Sequence, residues 1–133
     1  MRIFLLGGLL SLSLGVSSAM ACTFNWQHYG SDQVFDRIKS KIGDKVPDSY
    51  CSKFNKNYQI VIVTNEYVNN VRSLAHVRVG LRKRGSNDMI VKSMSAYKFE
   101  DGNFVVAKGY DMAASLALDT VMDVMSDPAS FLN

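Results

Sequence analysis

The chain has 133 residues, 47% hydrophobic and 20% charged, with two Cys, two Pro and a formal net charge of +3. This length suits one domain, and such apolar content with so little Pro excludes both a multidomain enzyme and a disordered tail. Two cysteines are too few for a disulfide-dense toxin scaffold, and the small positive charge is a weak field for nucleic acid.

Met1-Arg2 supplies a short positive start, and residues 3–16 form an apolar run rich in Leu and Gly. Ser17-Ser18 then leads into Ala19-Met20-Ala21, a small-x-small cleavage pattern. A transmembrane helix needs roughly 20 apolar residues, and this run is shorter. Residues 1–21 are therefore expected to be a secretory signal peptide, with residues 22–133 forming a single exported α+β domain. Without the signal the chain has 112 residues and net charge +2, since Arg2 is the one charged residue lost.

The first residue after the cleavage pattern is Cys22. Residues 18–22 make a poor lipobox, because such boxes usually carry Leu three residues before the Cys. Acylation there would give an outer-membrane lipoprotein. Against it, Thr23-Phe24-Asn25-Trp26 looks built to pack rather than to serve as a polar tether, and Cys51 would be left as an odd thiol. A Cys22–Cys51 disulfide is the favoured expectation. It closes a loop of about thirty residues, a constraint of roughly 3–4 kcal/mol. Either state places the chain outside the cytoplasm, with the periplasm the expected compartment.

Ser31 is positioned to cap a first helix, with Asp32 at the positive end of its dipole. Val34, Phe35, Ile38 and Ile42 recur at helical spacing, and Gly43 suits a stop. Residues 44–56 read as a loop presenting Cys51. Three strands are expected next. Residues 58–67 are β-branched and aromatic with both faces covered. Asn69-Asn70 suits a turn. Residues 71–84 alternate, with Val71, Ala75, Val77, Val79 and Leu81 on the buried side and Arg72, Leu74, His76, Arg78, Arg82 and Arg84 on the wet side. Residues 85–88 turn the chain into a third strand at 89–99. Asp101-Gly102 signals a hairpin, and residues 103–108 supply an optional fourth strand. A closing helix is expected over residues 111–125, capped by Asp111, with Ala114, Leu118, Val121, Met122 and Met125 as its apolar stripe. The predicted fold is α+β: an N-terminal helix, a three- or four-stranded antiparallel sheet, and a C-terminal helix packed on one sheet face.

Catalytic patterns are missing from the sequence: no His-Glu-x-x-His, Gly-x-Ser-x-Gly, Cys-x-x-Cys or Gly-rich phosphate loop is present. His28 and His76 are the only histidines, and each reads as an ordinary hydrogen-bonded side chain. No catalytic residue, metal site or cofactor is assigned. The five methionines after the signal, Met89, Met94, Met112, Met122 and Met125, read as core filler.

Two charged rows remain as candidates for recognition. His76, Arg78, Arg82 and Arg84 project from one side of the second expected strand, and planar guanidinium forks suit carboxylate or phosphate. Asp119 and Asp123, followed by Asp127, repeat every fourth residue on the last helix, a spacing at which like charges repel. A basic partner, a second copy of the chain included, would relieve that repulsion. The layout resembles that of small periplasmic accessory proteins of Gram-negative envelope assembly and secretion. The leading expectation is an exported, non-catalytic, chaperone-like or accessory protein that binds another envelope or secreted protein. An immunity protein or inhibitor of an exported hydrolase, a periplasmic binder of an anionic small molecule or lipid, and last a small hydrolase using His76 or His28, are the alternatives.

Overall fold

A computed structural model describes residues 22–132. The expected signal peptide, residues 1–21, lies outside the described residues. The fold is α+β, with a four-stranded mixed sheet covered on one face by helices. Strands β1 (Trp26–Tyr29), β2 (Tyr58–Val68), β3 (Arg72–Lys83) and β4 (Ser93–Asp101) lie side by side in that order.

Two expectations are corrected here. The first regular element is a strand, not a helix, and the sheet is not purely antiparallel. β1 pairs with β2 in parallel, from Trp26 opposite Ile60 to Tyr29 opposite Val63. The geometry follows from the connection: residues 30–57 cross over the sheet through helices before β2 begins, and a crossover returns the chain in the same direction. The fourth strand is thus β1. Residues 103–105 link β4 to the last helix instead of forming a strand.

Helix α1 (Asp32–Lys39) begins where the sequence indicates, with Ser31 Oγ accepting from the Val34 backbone N–H. It buries Val34 and Ile38, and Phe35 stacks on Trp26 with ring centroids 5.2 Å apart. The helix ends before Ile42, which enters the core from a single 3₁₀ turn, Ile42–Lys45. The expected loop at 44–56 holds a short helix, α2 (Asp48–Lys53), which buries Tyr50 and carries Cys51. Cys51 forms a disulfide with Cys22, with 6.0 Å between their Cα atoms. The bond spends the Cys22 thiol that acylation would need, and it suits an oxidising compartment.

β2 and β3 form the centre of the sheet through an antiparallel ladder from Tyr58–Lys83 to Val68–Ser73. Asn69 shapes the turn between them, its side-chain oxygen accepting from the backbone N–H groups of Val71 and Arg72. Ile60, Ile62, Val77, Val79 and Leu81 face the helices and are buried. Against them lies α3 (Val106–Ser126), whose Ala113, Ala117, Val121 and Val124 are fully buried. α3 starts five residues before the expected Asp111 cap. Lys108 pairs with Glu100 at 2.9 Å, and Gly109 lets the first turns lie against Val68, where a Cβ would come within 2.7 Å of the Val Cγ2. Asp111 instead sits inside the helix and binds the Arg37 guanidinium at 2.7 Å, joining α3 to α1. Met122, expected in the apolar stripe, is exposed. No helix among the described residues is long and apolar enough to cross a membrane.

Candidate functional site

Among the described residues, no helix lies on the second face of the sheet. Along β3 its side chains are Arg72, Leu74, His76, Arg78 and Arg82, with Gly80 among them, as the alternation indicates. Their cross-strand partners on β2 and β4 share that face: Tyr67 and Phe99 flank Leu74, Asn65 and Tyr97 flank His76, and Val63 and Ser95 flank Arg78. Tyr67, Tyr97 and Phe99 are exposed, which leaves an aromatic strip at one end of the face.

The other end is covered by residues 84–92, expected from the sequence to be the last residue of one strand, a turn and the start of the next. β4 begins only at Ser93, and the segment before it folds back over the sheet as irregular chain. Ile90 is buried beneath it, while Met89 and Val91 are exposed. Gly80 makes the cover fit, because the Lys92 carbonyl passes directly over it. An interior strand glycine often marks such an approach of one backbone to another.

This cover changes the environment of Arg82. The sequence reading places Arg82 on a wet face, yet it is 4% exposed. Its Nη2 donates to Gln27 Oε1 at 2.6 Å, and its Nη1 donates to the Tyr29 hydroxyl and the Asp88 carbonyl, each at 3.2 Å. The Gln59 side-chain amide, oriented with its oxygen toward the guanidinium, accepts from Nε at 2.9 Å. The donors are therefore satisfied by neutral oxygens, but the charge is not neutralised. Burying an ion without a counter-ion costs several kcal/mol unless such hydrogen bonds offset it.

Beside Arg82 lies a cavity of about 320 Å³, lined by Tyr29, Val61, Val63, Arg78, Met89 and Ile90 together with Arg82, Asn87 and Asp88. That volume is at the small end of ligand pockets. Arg78 is half-buried and loosely held: its contacts to Ser93 Oγ and the Ile90 carbonyl are 3.3–3.4 Å long. Its Nη1 makes no hydrogen bond among the described residues. The four ion pairs among the described residues join Arg37, Lys39, Arg72 and Lys108 to carboxylates, and none involves Arg78 or Arg82. Two guanidinium charges thus share one small, mostly apolar enclosure.

The remaining candidates are dispersed. Arg84 lies past the end of β3, hydrogen bonded to Asn55 Oδ1 and the Tyr58 carbonyl, in a shallow depression with Lys56 and Lys83. His76 is on the open face but outside the cavity lining. Asp119 and Asp123 are exposed on α3, across the sheet from the arginines, so the acidic and basic rows cannot meet within one molecule. His28 lies on the helix side, sharing a 2.7 Å hydrogen bond with buried Thr64. Burial lowers its pKa below 6.5, against an opposing pull from Asp32. The two histidines therefore occupy opposite faces of the sheet. Among the described residues no cluster of three or more His, Cys, Asp or Glu is placed to hold a metal.

The sequence reading missed Gln27, Tyr29, Gln59 and Ile90. Gly80 in mid-strand was the available signal for the cover, and none pointed to β1 as the supplier of Gln27 and Tyr29. The chain matches no protein-family model and no curated protein.

Proposed function

We propose that this chain is an exported, non-catalytic binding protein of the bacterial envelope, and that the cavity over Arg78 and Arg82 receives an anionic ligand. One observation carries the reading: a buried guanidinium that has no carboxylate partner among the described residues, beside a cavity that a second guanidinium, likewise unpaired among them, also lines. A bound anion supplies the missing charge in a setting where solvent screening is weak. The Cys22–Cys51 disulfide supports export. Intact mass checks that part of the reading: the mature chain should begin at Cys22 and weigh two hydrogens less than its reduced form, whereas a chain that keeps residues 1–21 would refute export and added acyl mass would refute the disulfide.

Binding is tested by thermal unfolding of the purified chain in a series of sodium carboxylates and organic phosphates at constant ionic strength. A ligand specific to the native state raises the midpoint with concentration. No midpoint change with any anion would sink the reading. A second reading, an accessory protein that docks a protein partner, is favoured by the exposed strip of Tyr67, Tyr97 and Phe99. It predicts that Tyr97→Ser with Phe99→Ser removes a crosslinked envelope partner without altering anion binding.

A further inference from the structure

We infer that the ligand is a singly charged, short amphiphile: a small organic carboxylate whose apolar part lies against Val61, Val63 and Met89 while its head faces Arg78. This inference rests on the anion-binding reading above and narrows it to a chemical class. Three features of the cavity decide the class.

The first is the supply of donors. Arg82 has committed its guanidinium to Gln27, Tyr29, Gln59 and the Asp88 carbonyl, so it contributes field rather than free N–H groups. Arg78 alone has an uncommitted nitrogen, Nη1, and its other contacts are long enough to yield. One guanidinium edge matches one carboxylate, in the paired N–H···O geometry that makes this contact strong. A phosphate monoester brings three oxygens and up to two charges, and the lining offers no second free donor edge of that kind.

The second feature is Asp88. It is the one acidic residue in the lining, it is exposed, and it forms no ion pair among the described residues. Its charge offsets part of the arginine field, so two guanidiniums and one carboxylate leave the lining one positive charge, which a monoanion neutralises and a dianion overshoots.

The third is the wall. Val61, Val63, Ile90 and Met89 make the enclosure apolar, and Met89 stands exposed at its mouth. Exposed Met suits a surface that adapts to an apolar partner. The volume of about 320 Å³ is at the small end of ligand pockets, so the apolar part is short.

The test compares sodium octanoate, octyl phosphate and octanol by calorimetric titration against the whole oxidised mature chain. Octanoate is expected to bind at least tenfold more tightly than octyl phosphate, with octanol weaker than both. Arg78→Gln is expected to weaken octanoate tenfold or more while leaving octanol unchanged, and Arg78→Lys to recover only part of the loss, because Lys lacks the fork. If Arg78→Gln fails to fold, the ligand series on the unmodified chain decides alone. Octyl phosphate equal to or tighter than octanoate overturns the carboxylate assignment but leaves the anion site standing. Equal binding of octanol and octanoate, or no binding by any of the three together with no response to other anions, overturns both.

Discussion

The carbonyl oxygen of Lys92 lies so close over Gly80 that a Cβ on Gly80 would stand 2.6 Å from it. The contact is with backbone, so no rotamer change relieves it. Gly80→Ala should lift residues 84–92 from the sheet, with an overpacking cost of about 1–3 kcal/mol. Urea unfolding reads the cost. Faster amide exchange at residues 90–92 than in the unmodified chain would identify the segment that moves, and unchanged exchange would show that the cover does not depend on this glycine.

The Cys22–Cys51 disulfide spans 29 positions of sequence and ties the start of the described chain to α2. Replacing both cysteines by Ala should lower stability by about 3–4 kcal/mol in the chain-entropy account. Denaturant midpoints of the oxidised chain and the double variant give the difference. Equal midpoints would mean that the crossover is already held by packing alone.

Acid should act on the fold in two separable steps. Burial, the larger influence, holds the folded-state pKa of His28 below 6.5, with Asp32 pulling the other way. The unfolded chain therefore takes up this proton first as pH falls. Stability is retained above about pH 6.5 and declines below it, until the folded-state group protonates as well. His28→Gln should flatten the midpoint between pH 7 and 5. At lower pH a second loss belongs to Asp101, whose carboxyl the Arg72 hydrogen bond holds below 3.8. That contribution is present above about pH 4 and disappears as the carboxyl protonates, and Asp101→Asn should remove it without touching the first step.

Tyr50 and Ser73 bury their hydroxyls without a hydrogen-bond partner among the described residues. Burial also pushes the Tyr50 phenol up to about 12. A stranded hydroxyl carries a desolvation cost of about 1–3 kcal/mol. Tyr50→Phe and Ser73→Ala should therefore be neutral or raise the unfolding midpoint, which calorimetry resolves. A clear drop for Tyr50→Phe would show that the hydroxyl has a partner in solution.

Local chemistry made much of the fold legible in the sequence. The alternation through Ala75, Val77, Val79 and Leu81 identified the buried face of β3, Asn69 marked its turn, and Ser31 marked the start of α1. Ala114, Leu118, Val121 and Met125 of α3 were also readable, whereas Met122 is exposed and the buried Ala113, Ala117 and Val124 were not singled out. The misreadings of β1 and of Arg82 share one origin, since they concern contacts between distant segments. β1 is four residues long and includes Gln27 and His28, and only its pairing with β2 makes it a strand. Alternation says which way Arg82 points but not what lies on top of it. Its cover is an irregular segment without periodicity, and its acceptors come from β1 and β2. The arginine row could thus be found in the sequence, while the difference between a solvated row and an enclosed pair could not.

The parallel pairing of β1 with β2 bears on how the chain reaches its native state. A hairpin brings neighbouring strands together cheaply, whereas β1 must find β2 across α1, the 3₁₀ turn and α2. Non-local pairing of this kind slows folding, because chain entropy is lost before contacts form. Cys22 and Cys51 flank that same search, one just ahead of β1 and the other shortly before β2. Once joined, they deliver β1 to the sheet edge with most of the distance already closed. The oxidised chain should therefore refold faster than the reduced one in stopped-flow experiments. The order of events in folding would then be thiol oxidation first and completion of the sheet edge second, with Gln27 and Tyr29 reaching Arg82 last.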